Sequence, residues 1–180
     1  MTRVVIVGAE STGKTTLAMA LAEHYQTTWV PEFGRLYTEA RRPRGELWTS
    51  DEFTFIAAEQ VRMEDALARL ANRVLICDTD AFATAIWHER YLGAASPDVL
   101  AIAARRRYDL YILTDVDTPF VPDDIRDGES IRDWMHKRFE GELAKMGAPM
   151  LLVSGPHEQR LAAAITRIDA VVSGFSRTTK

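Results

Sequence analysis

The stretch Gly8-Ala9-Glu10-Ser11-Thr12-Gly13-Lys14-Thr15 fits the pattern G-x-x-x-x-G-K-[ST] at every position. Just before it, Val4-Val5-Ile6-Val7 is a β-branched run typical of a buried parallel strand. Just after it, apolar side chains recur at the spacing of one helical face, namely Leu17, Ala18, Leu21, Ala22 and Tyr25. Because a strand, a glycine-rich loop and a helix are the setting that this motif requires, the sequence predicts a phosphate-binding P-loop.

A P-loop surrounds phosphates with backbone N–H groups, and the helix that follows adds the positive end of its dipole. We expect Lys14 to reach the β- and γ-phosphates and the Thr15 hydroxyl to bind Mg²⁺. The alternative is a glycine-rich turn with a surface lysine, which the match of both flanks disfavours. The expected cofactors are ATP and Mg²⁺, and the predicted nucleotide-binding residues are Gly8, Glu10, Ser11, Thr12, Gly13, Lys14, Thr15 and Thr16.

The composition of the chain indicates a globular protein. Its 180 residues suit a single domain, and 47% hydrophobic with 27% charged residues is ordinary for such a domain. The net charge of −4 gives no sign of general affinity for nucleic acid. One cysteine, Cys77, fits a reducing compartment, no apolar run approaches the ~20 residues of a membrane span, and the P-loop starts at residue 8. We therefore expect a cytoplasmic protein that does not enter a membrane, and we leave its oligomeric state open.

Short apolar runs alternate with helical patterns along the whole chain. Further strands are expected at 28–30, 73–78, 110–113 and 150–153, and a capping box at Thr49–Glu52 opens a helix between two of them. Such alternation predicts an α/β fold of three layers, with a five-stranded parallel sheet between helices. By analogy of fold, this size favours a small kinase over a motor or a transporter. We expect a kinase domain over residues 1–172 and a flexible tail over 173–180.

Two acids follow the third predicted strand. Asp78 ends the strand as a Walker B acid does, so we expect it to hold Mg²⁺ and to take part in catalysis. Asp80 could orient the hydroxyl of the acceptor, or it could cap the next helix. The sequence leaves these two roles of Asp80 open, and it leaves open whether Glu32, Asp78 or Asp80 receives the proton.

A charged and aromatic cluster follows the second predicted strand, at the sheet edge where α/β proteins bind ligands. We expect Glu32 and Arg35 to face the crevice there, although an exposed ion pair is the alternative. Phe33 and Tyr37 would suit a flat ring in the acceptor. The predicted substrate-binding residues are therefore Glu32, Phe33, Arg35 and Tyr37.

An acidic loop at about 117–132 has the composition of a mobile lid. Closing it would exclude water and bring Arg126 onto the phosphate in transfer, while Arg132 is a second arginine that could do so. Charge balance within the acidic loop is the alternative role of Arg126.

Together with the P-loop, three segments resemble the ribosylnicotinamide kinase domain of NadR proteins and its stand-alone AAA-type relatives. They are Pro31–Arg35, Asp78–Asp80 followed by Tyr91–Gly93, and Phe120–Arg126. The resemblance implies a role in NAD biosynthesis, by transfer of the γ-phosphate of ATP to the 5′-hydroxyl of nicotinamide riboside. It also implies that Glu32, Arg35, Asp78 and Asp80 surround the nucleoside and the metal, with Arg126 on the lid.

The sequence departs from this family in two places. Pro31 stands where the family can offer an aromatic ring to stack on nicotinamide, so Trp29, Phe33 or Tyr37 would have to supply the stack. Ile125 follows Asp124 where a glycine is expected nearby. Two further hypotheses therefore stay open: a kinase of another nucleoside, nucleotide or small metabolite, and an ATP-sensing switch that acts on a protein partner.

Overall fold

The computed structural model describes residues 1–41, 46–120 and 129–178. Five strands are present in this part of the chain: β1 Thr2–Val7, β2 Trp29–Val30, β3 Val74–Asp78, β4 Leu110–Thr114 and β5 Met150–Val153. The helices are α1 Lys14–His24, α2 Phe33–Arg41, α3 Ser50–Ala68, α4 Ala81–Leu92, α5 Pro97–Ala103, α6 Arg132–Lys145 and α7 His157–Thr178, with a 3-10 turn at Glu129–Ile131.

All five strands run parallel in one sheet, in the order β2-β3-β1-β4-β5. Successive side chains of a strand point to opposite faces, so each apolar strand serves two cores. On one face Val5, Cys77 and Leu113 pack with α4 and α6; on the other, Ile6 and Ile76 pack with α1 and α7. The predicted three-layer α/β/α fold with a five-stranded parallel sheet is confirmed.

The central strand β1 is paired with β3 on one side and with β4 on the other. Ile6 lies opposite Asp78, and Val7 lies opposite Leu113. The carboxyl ends of these three strands therefore meet at one edge, and the P-loop leaves β1 there. In an open α/β sheet this edge is where ligands bind.

Helix α3 begins as the sequence predicts. The Thr49 hydroxyl accepts from the Glu52 amide, while the Glu52 carboxylate accepts from the Thr49 amide, which completes a capping box. A few residues after α4, Ser96 caps α5 through the amide of Val99 and Pro97 occupies its first turn.

Two helices differ from the sequence-based expectation. Helix α2 covers the segment that we predicted only as a charged and aromatic cluster. Helix α7 continues to Thr178 and so includes most of the predicted tail, 173–180. Although α7 has 22 residues, no helix in the described part of the chain has the apolar character needed to cross a bilayer.

Candidate active site

The P-loop lies between β1 and α1. Gly13 is the N-cap of α1 with φ of +81°, and its side-chain position has no described atom within 4 Å. No side chain of the described residues caps this helix end. The first amides of α1 therefore have no side-chain acceptor within the described residues and can donate hydrogen bonds to an anion bound at the helix N-terminus.

Hydrogen bonds inside the loop hold its shape. The Thr12 hydroxyl donates to the Ala9 carbonyl at 2.8 Å and lies 2.7 Å from the hydroxyl of Thr114 at the end of β4. Lys14 Nζ donates to the same Ala9 carbonyl at 2.8 Å, and the lysine is only 8% exposed. A bound phosphate would offer this buried ammonium a charged acceptor in place of the Ala9 carbonyl.

Arg160 on α7 is hydrogen-bonded to the P-loop. Its Nη1 donates to the Thr12 carbonyl at 2.9 Å, its Nε donates to the Gly155 carbonyl at 2.8 Å, and its other amino group pairs with Asp117. Asp117 in turn accepts from the Gly155 amide at 2.5 Å. Sequence reasoning missed Arg160 because these contacts join segments about 40 and 150 residues apart, and no local pattern marks them.

Asp78 lies beside Thr15, as the predicted metal site requires. The Thr15 hydroxyl donates to Asp78 Oδ2 at 2.5 Å, and Asp78 is 1% exposed. Its second oxygen, Oδ1, is buried and has no hydrogen-bond partner among the described residues. Burial raises the pKa of Asp78, while Lys14, the Thr15 hydroxyl and Arg35 act in the opposite direction.

These oxygens fit Mg²⁺. A hydroxyl and an otherwise unpartnered carboxylate are hard ligands, and Mg²⁺ in phosphoryl-transfer sites commonly takes only one or two protein ligands besides phosphates and water. The described part of the chain contains no group of three or more histidine, cysteine or acidic side chains that could hold a metal by itself.

Glu32 lies at the same edge. Desolvation by the surrounding protein raises the pKa of this half-buried carboxyl to about 7, with Lys14 and Arg35 lowering it and Asp78 and Glu10 raising it further. Glu32 is therefore within electrostatic reach of the P-loop lysine and of the candidate metal ligand. A carboxyl with a pKa near neutrality is suited to accept a proton at physiological pH.

The other predicted acceptor residues lie on α2. Arg35 pairs with Glu39 at 2.9 Å and also acts on the carboxyls of Glu32 and Asp78. The start of α2 is fixed by the buried Gln60 of α3, which accepts from the Phe33 amide at 2.8 Å. Sequence reasoning missed this contact, which orients the segment that carries Glu32.

Aromatic rings of α2, α3 and α4, with Trp48 just before α3, form a continuous group, the aromatic wall: Phe33, Tyr37, Trp48, Phe53, Phe55, Trp87 and Tyr91. The rings of Phe33 and Tyr37 lie 6.4 Å apart, and both contact Phe55 at 5.8 Å. The two predicted aromatic residues therefore lie together. Trp29, by contrast, packs against the apolar core on the α1 side of the sheet.

The structure favours the capping alternative for Asp80. Its Oδ1 accepts from the Ala83 amide at 2.8 Å as the N-cap of α4, and its Oδ2 accepts from the Tyr111 hydroxyl at 3.0 Å. The side chain is fully buried, and burial raises its pKa to about 6. Between the two acids, Thr79 has a left-handed backbone conformation, with φ of +72°. Asp80 contacts Tyr111 on one face of the sheet, whereas Thr15, the partner of Asp78, lies on the other.

Part of the predicted lid falls outside the described residues, and Arg126 is in that part. Arg132 lies inside the structure and is 8% exposed. It donates to the Thr118 carbonyl at 2.9 Å and lies 5.9 Å from the Phe120 ring, while the Thr118 hydroxyl donates to the Ser11 carbonyl of the P-loop at 2.9 Å. Arg132 is thus linked to the phosphate loop through a single residue, Thr118.

Two further residues have structural roles in the fold. Cys77 is fully buried, and burial raises the pKa of its thiol well above the usual value, which makes it unreactive. His88 is buried between Ser50 and the Ala94 carbonyl, which lie 2.8 and 2.7 Å from its ring nitrogens. Both serve packing.

The chain is similar in sequence to two curated proteins. The trifunctional NAD biosynthesis/regulator protein NadR of Escherichia coli (strain K12) is 34% identical over 144 residues, which cover 79% of this chain and 35% of that protein. The NadR of Salmonella typhimurium (strain LT2) matches to the same extent. The chain therefore spans about a third of the length of these curated relatives.

Solved structures share the fold. A NadR protein in complex with NR superposes with a TM-score of 0.80 and 24% identity, over 96% of this chain and 52% of that one. A thymidylate kinase from Ehrlichia chaffeensis gives a TM-score of 0.71 with 14% identity, over 93% and 98% of the two chains. The model of the AAA_28 family, described as an AAA domain, matches residues 3–160. The chain belongs to this AAA domain family.

Proposed function

We propose that this chain is an ATP-dependent kinase that transfers the γ-phosphoryl group to the 5′-hydroxyl of a nucleoside, with nicotinamide riboside as the best candidate. The observation that carries the proposal is the meeting of Lys14, the Thr15–Asp78 pair and Glu32 at one edge of the sheet. A relative named as an NAD biosynthesis protein and a similar structure with bound NR support the choice of acceptor.

In the proposed reaction, the P-loop amides and Lys14 hold the β- and γ-phosphates of ATP. The acceptor 5′-oxygen forms a bond to the γ-phosphorus, and the bond from that phosphorus to the β–γ bridging oxygen breaks, so ADP leaves. Glu32 takes the proton of the 5′-hydroxyl. Thr15 and Asp78 would hold Mg²⁺, which supplies charge neutralisation on the phosphates when bound.

We assign the proton to Glu32 rather than to Asp78 or Asp80 for geometric reasons. Both oxygens of Asp80 accept hydrogen bonds inside the fold, and Asp78 is paired with Thr15 at the candidate metal site. Glu32 alone of the three combines partial exposure with a pKa near 7. The catalytic roles of Arg126 and Arg132 remain part of the proposal, as cations for the transferred phosphate.

The aromatic wall favours an acceptor with a flat ring. Pro31 offers no ring to stack on nicotinamide, so a residue of the aromatic wall would have to stack on the base of the acceptor. The thymidylate kinase likeness makes a nucleotide acceptor the second candidate. A nucleotide-dependent switch, the third candidate, would have no need of an aromatic wall beside a carboxyl with a pKa near 7.

The test measures ADP release from Mg-ATP against a panel of nucleosides and nucleotides, with the phosphorylated product identified by mass spectrometry. Stimulation by nicotinamide riboside, with its mononucleotide as product, is the expected result. Lys14→Met is the control, since it removes the ammonium and keeps most of the side-chain volume; it should fold normally and show no stimulated turnover. Stimulation by another acceptor would change only the substrate, and no stimulation by any compound would overturn the kinase proposal.

A further inference from the structure

A protected ion pair links the P-loop to helix α4. Arg90 Nη1 lies 3.0 Å from Glu10 Oε1, and the two side chains are only 7% and 11% exposed. The residues are 80 positions apart in the chain. Because water screens it little, such a pair interacts more strongly than the exposed ion pairs at the surface, for example Arg62 with Glu59.

Arg90 also contacts the aromatic wall. Its guanidinium carbon lies 5.1 Å from the centre of the Trp87 ring and 4.5 Å from that of the Tyr91 ring, within the range of cation–π attraction. Tyr91 in turn contacts Trp48 at 5.4 Å. The arginine is therefore held in place from two sides, by a carboxylate of the phosphate loop and by the rings of α4.

The negative charge of Glu10 opposes the binding of an anion by the P-loop. Glu10 lies inside the loop that would surround a polyanion, and its negative charge also acts on Glu32. The positive charge of Arg90 offsets the repulsion between the Glu10 carboxylate and incoming phosphates. Arg90 brings this positive charge to the loop from α4.

We infer that Arg90 is a positioning residue for nucleotide binding: it neutralises Glu10 and fixes the P-loop against α4 and the aromatic wall. The inference rests on the proposed function only in taking the bound ligand to be a nucleoside triphosphate. In this role Arg90 and Glu10 act as a unit, so the loss of the arginine is harmful only while the glutamate carries its charge.

The test is a double-mutant cycle on the dissociation constant of Mg-ATP, measured by calorimetry without any acceptor. Arg90→Met should weaken binding about tenfold or more, because it removes a positive charge that lies 3.0 Å from the Glu10 carboxylate and offsets its repulsion of the phosphates. Arg90→Lys, which keeps the charge, should recover part of the loss. The double variant Glu10→Gln/Arg90→Met should bind close to the level of Glu10→Gln alone.

Arg62→Met is the matched control, because it breaks an exposed ion pair of α3 that lies outside the site, and it should leave the dissociation constant unchanged. The inference is overturned if the double variant binds as weakly as Arg90→Met, which would mean that the arginine contacts the nucleotide itself. It is also overturned if Arg90→Met lowers only the melting temperature. Because no acceptor is present, a wild-type protein that binds Mg-ATP but phosphorylates nothing would contradict the proposed function and leave this inference testable.

Discussion

The hydroxyl of Thr15 lies 2.5 Å from a carboxylate oxygen of Asp78, although 63 positions separate the two residues in the chain. The parallel pairing of β1 with β3 creates this contact, since it places Asp78 beside Ile6, just before the P-loop begins. The other oxygen of Asp78 stays buried with no partner among the described residues. Within the described residues, the fold thus keeps one carboxylate oxygen without a hydrogen-bond partner at the candidate metal site.

Asp78→Asn is expected to separate function from stability. Turnover should fall by about 100-fold or more, because the amide is a poor substitute for a carboxylate on Mg²⁺. The metal-free protein should become more stable by about 1 kcal/mol or more, since a buried, half-paired charge is removed. ADP release and urea unfolding measure the two effects. An active Asp78→Asn variant would remove Asp78 from the metal site.

The other candidate ligand is tested in the same assay. Thr15→Val should lose turnover, whereas Thr15→Ser, which keeps the hydroxyl, should retain it. Removal of the metal with EDTA should stop turnover of the wild-type enzyme.

Glu32 should give the reaction a dependence on pH. The base must be ionised to accept a proton, and the folded-state pKa is about 7, so kcat/KM should rise as the pH increases through 7. Glu32→Gln should lower kcat/KM and remove this rise. Glu59→Gln on the outer side of α3 is the control and should keep the profile of the wild type.

The same pKa predicts how stability changes with pH. Between the usual glutamate value of 4.5 and about 7, the folded protein holds a proton on Glu32 that the unfolded chain releases. Native stability should therefore decrease as the pH rises through this window, and Glu32→Gln should flatten that part of the curve. Chemical denaturation at a series of pH values measures the slope. An identical slope in wild type and variant would contradict the raised pKa.

Asp80 is expected to act on stability more than on chemistry. Asp80→Asn keeps an oxygen for the Ala83 amide but cannot accept from both partners, so it should cost about 1–2 kcal/mol of unfolding free energy. Tyr111→Phe removes the other half of the same contact, and the two effects should not add in the double variant. A large loss of kcat in Asp80→Asn with unchanged stability would instead assign the acceptor hydroxyl to Asp80.

The sheet and the P-loop could be predicted because their signals are local. A β-branched run, a fixed glycine–lysine spacing and a helical apolar face all lie within about 25 residues. Helix α2 could not be predicted in this way: its first turn is oriented by the side chain of Gln60 on another helix. Arg90 and Arg160 were missed for the same reason, because each meets the loop only after the chain has folded.

Asp80 illustrates a different limit. The sequence shows two acids separated by one residue, and either could face the ligand. Thr79 adopts a left-handed backbone conformation between them, which the sequence does not signal, and Asp80 then bonds to Tyr111 on the opposite face of the sheet. The conformation of Thr79 thus leaves Asp78 beside Thr15 of the P-loop and places Asp80 on the opposite face of the sheet.

Gly8 should be the least replaceable glycine of the P-loop. Its φ is +149°, and a β-carbon there would lie 2.3 Å from the hydroxyl oxygen and 3.0 Å from the carbonyl oxygen of Thr114. Gly8→Ala is therefore expected to lower the free energy of unfolding by about 2–4 kcal/mol, through backbone strain and a contact that β4 cannot relieve without moving. Gly141→Ala is the matched control: it lies in α6 with no described atom within 4 Å of the added carbon, and it should gain up to about 1 kcal/mol. Urea unfolding compares the two variants. Equal stabilities would mean that the loop can shift away from Thr114, and that the close approach of β1 and β4 at this edge does not fix the conformation of the phosphate loop.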